Sequence, residues 1–197
     1  MLAQSSGTSS SYPVTPSTAA MLVNFAGFQL GWFACVLGTA HGVPWLGPLV
    51  AVPVLAWHLR SADRPGPAAL LLAAAAVSGF VLDSLLVQAG RLSFARGVLL
   101  EGTAPYWMVT LWVLFATTFN VSLRWLRGRL ALAALLGAVG GPLAYLAGAR
   151  LGAAEVLEPA WVTHLAVAAV YALATPALLV LARRLDGFAP AAAADRP

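Results

Sequence analysis

Six long apolar runs, at about 20–40, 43–59, 67–89, 104–123, 129–149 and 160–182, leave this chain almost no way to fold in water. Each covers ~17–25 residues, the length that crosses a ~30 Å hydrocarbon core as a helix. Only 9% of the residues are charged, against about 25% in a soluble domain, too few to clothe a water-facing surface. Inside hydrocarbon every backbone N–H and C=O must pair within the protein, and runs of this length achieve that as helices. The expected fold class is therefore all-α: a polytopic membrane helix bundle of six transmembrane helices.

Charge placement gives the bundle a direction. The 11 basic residues are all arginine and sit at run ends. With the N-terminus inside, the cytoplasmic segments hold Arg60, Arg64, Arg124, Arg127, Arg129, Arg183, Arg184 and Arg196. The outer loops then hold Arg91, Arg96 and Arg150. Arginine excess marks the cytoplasmic side, so an N-in/C-in topology is expected. The net charge of +4 does not signal nucleic acid, because no basic cluster of that kind exists. Trp45, Trp57, Trp107, Trp125 and Trp161 lie near run ends, the pattern of an interfacial belt. In the second run Pro44 suits a helix start, while Pro48 and Pro53 should bend the helix.

Residues 1–19 are rich in Ser, Thr and Pro, lack periodicity and read as a disordered tail. Met21 opens the first run directly and reads as the natural start. The expected division is a 1–19 tail, a 20–184 six-helix transmembrane domain and a 185–197 disordered cytoplasmic tail. The single cysteine, Cys35, excludes an internal disulfide and a cysteine metal site. "WFAC" fits a small residue packed in a helix better than a lipoprotein cleavage box, whose aliphatic position Trp32 occupies.

The stretch "NFAGFQLGWFACVLG" carries two amides in an apolar run. Asn24 shares one helical face with Ala20, Gly27, Gly31, Ala34 and Gly38. Small residues there let another helix approach closely, and Asn24 can hydrogen-bond across the seam. Gln29 lies with Phe25, Trp32 and Val36 on roughly the opposite face. An amide turned toward lipid costs several kcal/mol, so that face should meet protein or a cavity, and helix one should be central. The fifth helix repeats the small-residue seam through Ala134, Gly137, Gly141, Ala144 and Gly148. Two polar stripes follow: Tyr106, Thr110, Thr117, Asn120 and Arg124 on helix four, and His164, Ala168, Tyr171 and Thr175 on helix six. Each reads as interhelical glue or as a cavity lining.

Asp83, in "GFVLDSLLVQAG", lies ~9 Å of helix rise before the end of the third run. An intramembrane carboxylate faces the bundle interior with a partner; Arg91, Arg150, His41 and His164 are the candidates. A buried ion pair, a protonated structural carboxyl and a functional acid all stay open. The histidines and Glu101, Glu155 and Glu158 lack metal-ligand spacing, and no zinc-protease, nucleophile-elbow or phosphate-loop motif occurs. No metal, no cofactor and no catalytic residue is expected.

Five stretches together carry a resemblance: "NFAGFQLGWFACVLG", "HGVPWLGPLVAVPVLAWHL", "GFVLDSLLVQAG", "LFATTFNVSLRWL" and "GGPLAYLAGARLGA". They span about 21–153 and resemble a bacterial family of small integral membrane proteins known only as a domain of unknown function. The sixth helix is looser, and the Ser/Thr-rich tail departs from the family pattern. The family supplies no activity to carry over. The resemblance implies a multi-pass protein of the bacterial inner membrane. Genes of the family tend to sit near lipid-modifying enzymes, such as relatives of cyclopropane fatty acid synthase, which implies a role in membrane lipid modification. The expected function is an accessory or ligand-binding protein of that process, with Gln29, Asp83, Tyr106, Tyr145 and His164 lining a pocket. The alternatives are a small proton- or cation-coupled transporter using Asp83, and a membrane-embedded enzyme acting on acyl chains with Asp83 and His164 as acid–base partners. Membrane lipids and a lipid-modifying enzyme are the expected partners, and a homo-oligomer is allowed.

Overall fold

The computed structural model describes residues 16–188. Arg196 and residues 1–15 and 189–197 of the expected tails lie outside the described residues. Each apolar run holds one α-helix: α1 (Thr18–Ala40), α2 (Leu46–Arg60), α3 (Pro65–Gln88), α4 (Tyr106–Phe119), α5 (Leu130–Arg150) and α6 (Ala160–Arg184). Four of them, α1, α3, α5 and α6, are long and apolar enough to cross a membrane; α2 and α4 are shorter, at 15 and 14 residues. The outward faces are apolar: Leu22, Leu30, Leu70, Val77 and Leu173 are each more than half exposed. A surface of this kind calls for an apolar surround.

Local chemistry sets the helix ends. The Ser17 hydroxyl accepts the Ala20 N–H at 3.2 Å, a side-chain cap that lets α1 take in the last two residues of the expected tail. Pro44 sits in the turn before α2, Pro48 in its first turn, where no N–H bond is lost, and Pro53 inside it. α4 stops at Phe119, short of the end of its apolar run. The next residues spend their polar groups on other elements: Asn120 Nδ2 donates to Leu185 O, and Ser122 Oγ donates to Asn24 Oδ1 at 2.7 Å. Such side-chain bonds compete with continuing the helix.

The central helix is α4, not α1. It touches α1, α2, α3 and α6, and Trp107, Trp112, Leu114, Ala116 and Phe119 are all at most 2% exposed. Helix α1 instead leaves Leu22, Val23, Phe25 and Leu30 outside. Its small-residue face lies close to its neighbours: a Cβ on Gly31 would collide with Leu114, and one on Gly27 would lie 3.2 Å from Val54. Cys35 is fully buried against Gly47 of α2. Asn24 uses its whole amide, donating to Thr117 O (3.2 Å) and Oγ1 (3.3 Å) and accepting from Ser122. Its role is packing.

The two ends of the bundle differ. At one lie the α1–α2, α3–α4 and α5–α6 connections, the last two paired in a short antiparallel ribbon, β1 (Leu92–Ser93) against β2 (Glu155–Val156), in register Leu92↔Val156. Here Trp107 departs from the expected belt: it is buried, and its Nε1 donates to Arg96 O at 3.0 Å. Gly97 makes that seat possible, with φ +78 and no Cβ to strike the indole. Trp45, Trp57, Trp125 and Trp161 do stay exposed.

At the other end lie Arg60, Arg64, Arg124, Arg127, Arg129, Arg183 and Arg184. Just past α6, where the tail was expected to begin, Asp186 accepts from Arg124 (2.9 Å) and Arg127 (2.7 Å). Arg127 also donates to Asn120, and Arg64 donates to the Asp186 carbonyl. Burial alone would push the Asp186 carboxyl up, but Arg127, the Phe188 N–H and Arg124 together hold it below the usual carboxylate range. A depressed folded-state value makes this contribution present above the unfolded value and lost as pH falls through the folded one. Asp186→Ala should therefore lower stability by about 1–3 kcal/mol near neutrality. Thermal melts in detergent should show the gap between wild type and variant closing below about pH 4.

Candidate functional site

Asp83 is fully buried near the ribbon end of α3, and both of its oxygens are engaged. Oδ2 accepts from Trp112 Nε1 on α4 at 2.8 Å, and Oδ1 accepts from the Tyr145 hydroxyl on α5 at 2.7 Å. Tyr171 of α6 completes the cluster, stacked on Trp112 at 4.9 Å and edge-on to Tyr145 at 6.2 Å. Glycines one turn away on the same faces make room for these rings. Gly79, four residues before Asp83, lies flat against the Trp112 indole, where a Cβ would collide. Gly141, four residues before Tyr145, would put a Cβ 2.6 Å from the Tyr171 ring, and one on Gly137 would strike the Tyr171 carbonyl.

On the other side of Trp112 and Tyr145 lies a cavity of about 430 Å³. No substantial contact joins α1 to α5 among the described residues, and the gap between them is the cavity. Helix α1 contributes Phe28, Gln29, Trp32 and Val36 to one wall, and α4 lays Trp107, Leu111, Trp112 and Phe115 as a floor. The opposite wall is α5, from Leu136 to Gly148, with Tyr171 and Thr175 of α6 behind it. Gly140 and Ala144 on that wall are exposed, so the groove opens sideways between the helices. The size suits a small apolar ligand, and the wall along α5 runs about 18 Å at helical rise.

The expected pocket residues separate. Gln29 and Tyr145 line the groove. Asp83 stands one layer behind, holding two lining side chains by their polar atoms. Tyr106 and His164 are not among the lining residues. Tyr106 spends its carbonyl on Thr110 Oγ1, and the buried Nδ1 of His164 has no partner. The proposed ionic partners of Asp83 are elsewhere too: Arg91 donates to Ala89 O, His41 Nδ1 bonds Leu37 O, and Arg150 is exposed. Neutral donors on the next two helices, α4 and α5, satisfy the carboxyl instead. The polar stripe on α4 divides likewise: Thr110 and Thr117 bond carbonyls of their own helix, while Asn120 and Arg124 serve the arginine end. Trp112 and Tyr145 were missed as the partners of Asp83, and Tyr171 as the ring packed against both. The signal was present in the glycines at 79 and 141, each a seat for a ring.

Among the described residues no cluster of His, Cys, Asp or Glu has the arrangement to hold a metal ion. The family described as a protein of unknown function (DUF2878) matches residues 21–177, and the chain belongs to that family. No curated protein and no solved structure matches the chain.

The Asp83 cluster predicts a split between two substitutions. Asparagine can still accept from Trp112 through its carbonyl and donate to the Tyr145 oxygen, whereas leucine strands two buried donors. Asp83→Leu should cost about 2–5 kcal/mol, and Asp83→Asn about 1 kcal/mol. Unfolding followed by tryptophan emission checks this; equal losses would show that the two bonds do not hold the cluster.

Proposed function

We propose that this protein is a six-pass protein of the bacterial cytoplasmic membrane, with both termini inside. In this reading it holds the hydrocarbon of a membrane lipid in the groove between α1 and α5, as an accessory or ligand-binding component of membrane lipid modification. The carrying observation is the side-open, aromatic-floored gap, about 430 Å³, that α1 and α5 leave between them. Its wall of about 18 Å compares with roughly 15 Å for one leaflet, half of a ~30 Å core. A chain could enter laterally from the bilayer without leaving hydrocarbon.

The topology rests on the seven described arginines at one end and three at the other. The short α4 is compatible with six passes because it is sheathed by its neighbours, and non-helical backbone is tolerated at membrane depth where protein covers it. The family resemblance adds lipid modification as the process and a lipid-modifying enzyme as the partner. The transport alternative finds less support, since Asp83 lies behind Tyr145 and Trp112 rather than on the lining. The enzyme alternative lacks its acid–base pair, since Asp83 and His164 share no hydrogen bond.

Blocking the groove tests the reading. Gly140 lines it, and a Cβ there meets nothing within 4 Å, so Gly140→Phe should fill the space and leave the bundle folded. Native mass spectrometry of the purified protein should find co-purifying lipid in the wild type and at least tenfold less in the variant. Lipid retained by the variant would sink the reading. Lipid mass spectrometry of a deletion strain should also show an altered acyl species.

A further inference from the structure

Helix α1 answers its two amides in opposite ways. Asn24 is fully bonded. Gln29 lines the groove, and none of the side-chain hydrogen bonds among the described residues involves its amide. Thr18–Ala40 places eleven residues on each side of Gln29, so its amide sits ~16 Å of helix rise from either end. In a bilayer that depth is the middle of the hydrocarbon, where no water completes the amide and an unbonded one is strongly disfavoured.

A second polar group lies at the same level. Thr175 lines the groove from α6, is 2% exposed, and its hydroxyl has no partner. It stands nine residues before Arg184, about 14 Å from that end of its helix. The rest of the lining at this level is apolar or aromatic, with Phe28, Phe115 and Leu136 nearby in sequence register. An ordinary acyl chain offers only methylene groups at mid-bilayer, which would leave the amide as unsatisfied as an empty groove does. Sites built to hydrogen-bond a ligand group discriminate strongly against the analogue that lacks it.

We propose that the ligand of the groove is a lipid chain bearing a neutral oxygen function, a hydroxyl, ketone or ether, partway along its length, and that Gln29 bonds that oxygen. The inference rests on the groove being a lipid site. A carboxylate or phosphate head group is not what Gln29 meets, because no cation among the lining residues would balance it. The amide can donate to a ketone or ether and both donate to and accept from a hydroxyl. The same chemistry could come from a free fatty acid or from an esterified chain of a phospholipid.

The probes are octadecanoic acid and its derivative hydroxylated at the twelfth carbon, titrated against the full chain in detergent. Binding is read from the emission of Trp32, Trp107 and Trp112, which line the groove. The hydroxylated chain should bind about tenfold more tightly, the scale of one hydrogen bond in a dry site. Gln29→Leu, and Gln29→Met as a second variant closer in shape, should erase the preference while plain-chain binding persists. Equal affinity of the two chains, or a preference kept by both variants, overturns the proposal. If neither chain binds, the groove reading itself fails. Repeating the comparison with the two chains esterified in phosphatidylglycerol nanodiscs identifies the source, and preference for the hydroxylated chain in either form supports the proposal.

Discussion

The pair of hydrogen bonds that Trp112 and Tyr145 donate to Asp83 is the interaction on which the rest of the bundle depends. A carboxyl inside an apolar bundle is expensive unless its oxygens are occupied. Here the occupants come from two different helices, and a third helix adds Tyr171 against both rings. Four of the six helices are thus registered at one point. The floor and back of the groove are the outward sides of the same rings. Had Asp83 found an arginine, as its position near the helix end suggested, these rings would have had no reason to stand there.

The groove follows from what the helices do not do. Packing among α1, α2 and α4 and among α3, α4, α5 and α6 consumes the small-residue faces, and α4 is shared by both groups. Once Gly31 is spent on Leu114 and Gly141 on Tyr171, nothing remains to draw α1 onto α5. The aromatic face of α1 and the exposed glycines of α5 are left across a gap.

Much of the architecture was written in the chain. Apolar run length places all six helices, because hydrocarbon allows the backbone no other solution. The spacing of Gly27, Gly31, Gly137 and Gly141 marks packed faces, and the assignment of Asn24 to a seam follows from the same periodicity. The groove face of Gln29 was also legible, since it opposes that seam. The partners of Asp83 were not. Sequence proximity to one helix end favours charged residues in nearby loops, whereas the donors come from helices whose rotation is settled only by packing. The ribbon, two residues on each strand, is too short for any periodicity to announce it. Its loops were visible only as polar breaks. Centrality was misread for a related reason: α1 carries the conspicuous glycines, but α4, with large rings on every side, has more to bury.

Asp186 has a consequence for how the molecule is made. Its carboxylate lies 62 residues after Arg124 and 59 after Arg127. During synthesis the two guanidiniums therefore emerge long before their counter-ion. The pairs with Asp186 can form only after α6 has been made and has returned its end to the arginine side. Closure of that latch thus reports that α6 has taken its place in the bundle, and a chain that fails at α6 leaves both guanidiniums without this carboxylate.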